Sequence, residues 1–74
     1  MTKSAAKTEV PGTVWQVLVA LGDDIVENQE IMIIESMKME IPILAPSSGK
    51  LVQLLVKETD AVAAEQIVAW IETP

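Results

Sequence analysis

A chain of 74 residues with no cysteine and no histidine is one small domain, without disulfides, the usual zinc-ligand sets or phosphohistidine chemistry. Half of it is hydrophobic, enough for a core, while a net charge of −6 with no arginine argues against nucleic acid, which needs a clustered basic footprint. Uncharged apolar runs are only a few residues long, far short of a membrane span, so no membrane partner is expected.

Residues 1–8 are polar and basic, and no hydrophobic signal region follows them. They read as a flexible N-terminal lead-in to a single domain over 9–74, in a cytoplasmic protein. From Gly12 onward the chain repeats itself. Shifted by 37 residues, Gly12–Glu35 lies over Gly49–Glu72 without a gap, and eight of the 24 pairs are identical. These are Gly12/Gly49, Gln16/Gln53, Leu18/Leu55, Val19/Val56, Asp23/Asp60, Gln29/Gln66, Ile34/Ile71 and Glu35/Glu72. Two such copies should build one closed structure around a pseudo-twofold axis.

Each half reads as short strands. β-Branched and apolar residues dominate, with punctuation at Pro11-Gly12, Gly22-Asp23-Asp24, Asn28, Pro46 to Gly49 and Thr59-Asp60. Alanine-rich Asp60–Gln66 would suit a helix, but its twin Asp23–Gln29 contains no alanine, so both read as loop and short strand. In Gly-x-Val-x-x-Val-x-Val the apolar spacing shifts from three to two, the mark of a β-bulge. Core positions are Val14, Val17, Val19, Ile25, Ile31 and Ile34, with Leu51, Leu54, Val56, Val62, Val68 and Ile71 from the second half. Trp15 and Trp70 read as core or barrel-end plugs. The fold class is all-β: a flattened barrel or sandwich of about eight short strands.

Between the halves stands Glu35-Ser36-Met37-Lys38-Met39-Glu40. Extended segments on either side, with no Gly or Pro between them, predict a tight hairpin turn across Met37-Lys38, where side chains are exposed. Apolar methionines beside an ammonium make little sense as a solvated surface, because burying them drags the charge out of water. They make sense if the amine is modified. The segment resembles the biotin-attachment motif Ala/Ser-Met-Lys-Met of biotinyl domains, in biotin carboxyl carrier proteins and stand-alone biotin/lipoyl attachment proteins. The resemblance runs from about Val10 to Ile71. It implies the barrel-sandwich hybrid fold, biotin held covalently on Lys38, and a biotin protein ligase, a biotin carboxylase and a carboxyltransferase as partners. The ungapped halves leave no room for the thumb insertion of some carboxylase carriers, so the chain resembles the stand-alone type. Glycine is common in the family where Asn28 and Glu65 stand, and in the second half Thr59 replaces the glycine seen at Gly22, which leaves the local turns open.

A lysine amine is protonated near neutral pH and is a poor nucleophile. A separate ligase must therefore supply an activated acyl group. The resemblance then implies that carboxybiotin, formed with ATP and bicarbonate, travels between two active sites on a tethered arm. Met37 and Met39 read either as a collar recognised by partner enzymes or as edge packing on the barrel. The resemblance implies that Glu35 helps the ligase dock; on its own it reads as a relic of the repeat, matched by Glu72, or as a strand-end charge. Lipoate is the alternative cofactor, although lipoyl domains typically flank the lysine with Asp and Ala. An unmodified adaptor barrel is the reading from another class. An enzyme in its own right is disfavoured: the sequence has no nucleophile–base pair or metal constellation, so no residue is assigned as catalytic or metal-binding. Finally, the pseudo-twofold places the ordered ends, near Val10 and Ile71, together at the end opposite Lys38.

Overall fold

The duplication sets the strand map. The computed structural model describes residues 2–73, and every strand of the first half recurs 37 residues later: β1 (Thr2–Lys7) with β5 (Met39–Leu44), β2 (Gly12–Val17) with β6 (Gly49–Leu54), β3 (Asp24–Ile25) with β7 (Ala61–Val62), β4 (Glu30–Ser36) with β8 (Ile67–Thr73). These form two four-stranded antiparallel sheets, ordered β1-β8-β6-β3 and β5-β4-β2-β7. Each sheet takes two strands from each half, so neither half closes a sheet alone. The described residues contain no helix, and so none long and apolar enough to cross a membrane.

Inward positions match between the halves. Val14, Ile25, Ile31 and Ile34 are buried, as are their twins Leu51, Val62, Val68 and Ile71, with Val56 beside them. Val17, Val19 and Leu54 pack against this core half-buried. Fully burying one such side chain is worth roughly 1.5–3 kcal/mol. Met32 and Ala69 are buried too, although each directly follows an inward residue. Register shifts in the β4–β5 and β1–β8 ladders explain this, because Ile31 and Val68 are extra residues there.

The expected bulges lie at Trp15 and Val52, where β2 and β6 slip against β4 and β8. The bulge also corrects the reading of the tryptophans. The step from Val14 to Val17 turns both Trp15 and Gln16 outward, leaving Trp15 49% exposed. Trp70 alternates with buried Ala69 and Ile71, so it lies half-buried on the outer face of its sheet.

Identical residues of the repeat hold the close approaches and turns. A Cβ on Gly12 would strike the Glu35 carbonyl oxygen, and one on Gly49 the Glu72 carbonyl oxygen. Asp23 Oδ2 accepts from Ala20 N–H at 2.9 Å and Asp60 Oδ2 from Lys57 N–H at 3.0 Å. Gln29 and Gln66 close the next turns in the same way, through Val26 N–H and Ala63 N–H. The backbone is left-handed at Gly22 and its twin Thr59, and at the twins Asn28 and Glu65. The turn geometry therefore survives the replacement of glycine, at a steric cost greatest for β-branched Thr59.

The flexible lead-in is overturned. Thr2–Lys7 is a full edge strand whose register runs from Thr2↔Thr73 to Lys7↔Ile67, with Ala6 buried. Thr8 is buried as well; its hydroxyl donates to Val10 O at 2.7 Å. The ordered domain thus begins before residue 9, while Met1 lies outside the described residues. The ends meet as Thr2 and Thr73, where the Thr73 hydroxyl donates to Thr2 O at 2.9 Å. Val10 lies instead on the Lys38 side, two residues before Gly12, which packs on Glu35.

Candidate functional site

Core packing dictates the hairpin. Ile34 faces Ile41 and Met32 faces Ile43 across β4 and β5. Slipping this register by one residue would send every apolar side chain to the wrong face. The last pair is then Ser36↔Met39, with only Met37 and Lys38 left to turn the chain. Two-residue hairpins favour a type I′ turn, which needs positive φ at both central residues and is usually made by Asn-Gly. Here Met37 has φ 51° and Lys38 φ 65°. Left-handed backbone costs a residue with a Cβ roughly 1–2 kcal/mol. Strain of this kind persists where the surroundings over-determine it, and it clusters at functional sites.

The turn lifts Lys38 to an exposed apex. Met37 is 92% exposed and Met39 63%, so neither packs on the barrel and the edge-packing reading fails. Strand parity sorts the remaining side chains. Ser36 and Met39 continue the inward rows of Ile34 and Ile41 past the end of the core. Glu35 and Glu40 face each other on the outward side, both exposed. Thr13 on β2 pairs with Glu35, and Ala61 on β7 pairs with Thr13. The base of the hairpin is thus fixed while its tip is free. A groove of about 240 Å³ runs between Lys7–Glu9 and Ile41–Leu44, alongside β5 and not at the tip. It is smaller than a typical small-molecule site.

The structure brings Glu35, Met37, Lys38 and Met39 together on one hairpin, as the sequence predicts. Sequence reading missed Glu40, whose place opposite Glu35 follows once the turn is fixed at two residues. It also missed the buttressing by Gly12, signalled by its identity with Gly49.

Fold and site together define a class of protein: a two-sheet β-domain with one lysine at the apex of a strained hairpin. The chain belongs to the biotin/lipoyl attachment family: the family model described as "Biotin-requiring enzyme" matches residues 2–71. It is 48% identical over 54 residues to a biotin/lipoyl attachment protein of Bacillus subtilis, covering 73% of this chain and 74% of that one. It is 51% identical over 51 residues to a biotin carboxyl carrier protein of Streptococcus mutans, covering 65% of this chain and 39% of that one. The crystal structure of the urea carboxylase of Kluyveromyces lactis superposes with a TM-score of 0.91 at 33% identity, over 97% of this chain and 6% of that one. The fold is that of carboxylase biotinyl domains.

Proposed function

We propose that this chain is a non-catalytic biotin carrier, loaded on Lys38 and serving a biotin carboxylase and a carboxyltransferase. The observation that carries the reading is the Met37–Lys38 turn, which holds one amine at an exposed apex between two exposed methionines. A biotin protein ligase supplies an activated biotinyl group; the Lys38 amine, once deprotonated, attacks its carbonyl, an amide forms and the activating group leaves. When bound, biotin supplies the one-carbon carrying chemistry. The protein's own part is mechanical. Ladders to β2 and β5 fix the hairpin base, the strained turn aims the arm outward, and the tether keeps the cofactor at high effective concentration for both partners.

Lipoate on the same lysine is the second reading, favoured by the wording "biotin/lipoyl" in the name of the Bacillus subtilis relative. Methionine on both sides of Lys38 favours biotin. The purified chain should be treated with a biotin ligase, biotin and ATP, or with a lipoate ligase, lipoate and ATP, and weighed intact. One biotinyl group and no lipoyl group is the expected result. Lipoylation without biotinylation would reverse the assignment, and no acylation in either reaction would leave the adaptor reading.

A further inference from the structure

The duplication supplies an internal control for charge. Each sheet carries one cross-strand row of outward side chains at its end, and the pseudo-twofold exchanges the two rows. In the sheet away from Lys38 the row reads Lys3, Glu72, Lys50, Asp24 across β1, β8, β6 and β3. Charges alternate in sign and the row is neutral. In the sheet that carries the hairpin, the equivalent row reads Glu40, Glu35, Thr13, Ala61 across β5, β4, β2 and β7. Both of its charges are negative and directly opposed.

Like charges facing each other across a ladder destabilise it, and opposite charges support it. The first row shows that the fold accommodates the supporting arrangement, since Lys3 occupies there the position that Glu40 holds here. Glu35 and Glu40 are also exposed, so no packing demand explains the difference. The one cation within the hairpin is Lys38 at its apex, and acylation removes that charge. A stability rule kept in one copy and broken in the other, beside the exposed Lys38, calls for a reason other than stability.

We propose that Glu40 is a specificity-determining residue for loading: with Glu35 it gives the hairpin an uncompensated anionic face that a cationic surface of the acylating enzyme reads. The inference rests on the carrier reading. Surface charge of this kind acts on encounter and is screened by salt.

The test compares ligase loading rates for wild type, Glu40→Lys, Glu40→Gln and the sister variant Lys3→Glu, at low and high ionic strength. Glu40→Lys restores the compensated row, so its melting temperature should rise while kcat/KM falls about tenfold at low salt, a deficit that shrinks as salt screens the encounter. Glu40→Gln should lose about threefold and keep the wild-type melting temperature or better. Lys3→Glu should melt earlier yet load within about twofold of wild type. Loading of both Glu40 variants within about twofold of wild type at low salt, or a deficit indifferent to salt, overturns the proposal and leaves the carrier reading intact. A wild-type chain that accepts no biotin overturns both.

Discussion

Exposure decides between the two meanings of the methionines. Side chains 92% and 63% exposed bury too little apolar area to support the fold. Met37→Ala and Met39→Ala should each change stability by no more than ~0.5 kcal/mol, as surface substitutions do, while slowing carboxyl transfer by the loaded protein. Thermal melts set beside transfer rates check this. A loss of ~2–5 kcal/mol, the range for a buried methionine, would show that they pack after all. The pair at the apex was legible because methionines beside a lysine have no bland purpose. The tryptophans were misread although the same pattern held the answer. A bulge between Val14 and Val17 necessarily places Trp15 outside. At Thr59 the left-handed backbone, φ 78°, is strained for a β-branched residue, so Thr59→Gly should stabilise by about 1 kcal/mol in a denaturant titration. Any destabilisation would mean that the side chain earns its place by other contacts.

Strand β1 shows where element-level reading stopped. Its segment Thr-Lys-Ser-Ala-Ala-Lys shares no residue with its twin Met-Glu-Ile-Pro-Ile-Leu, so identity between the halves fades before Gly12. The 37-residue offset nevertheless lays one over the other, and geometry obeys the offset where composition does not. Small residues suffice because Ala6 fills the place that Ile43 takes in the other sheet. The two long edge strands are also protected from pairing with other chains, β5 by Pro42 and β1 by Lys3 and Lys7, while the other two edges, β3 and β7, are only two residues long. Deleting residues 2–7 should therefore cost more than about 3 kcal/mol, from several ladder hydrogen bonds at roughly 0.5–1.5 kcal/mol each and the exposure of Ala69. Circular dichroism melts of the truncated chain test this, and a truncation without effect would restore the flexible lead-in. Alanine content over Asp60–Gln66 suits a helix, yet β7 and a Gln66-closed turn stand there, as in the twin segment. Comparison with the twin settled what propensity alone would have got wrong.

The whole molecule is two intertwined copies that differ in charge at their two ends. The pseudo-twofold relates the Met37–Lys38 hairpin to the meeting of Thr2 and Thr73, in a body 37 Å long and 19 by 18 Å across. One end ties Thr2 to Thr73 and carries a neutral charge row; the other presents a strained turn, two exposed methionines and two opposed glutamates. The all-β class, bulges, shared core and hairpin were legible because each rests on local pattern or on the repeat. The charge asymmetry was not, because it appears only once cross-strand register is known. In the proposed function this asymmetry serves one amine, that of Lys38. Lys38→Arg keeps the charge and the turn but removes the acylable amine, and it should fold as wild type. After treatment with biotin ligase, wild type should be captured by streptavidin and the variant should not. Capture of the variant through another lysine would contradict the account.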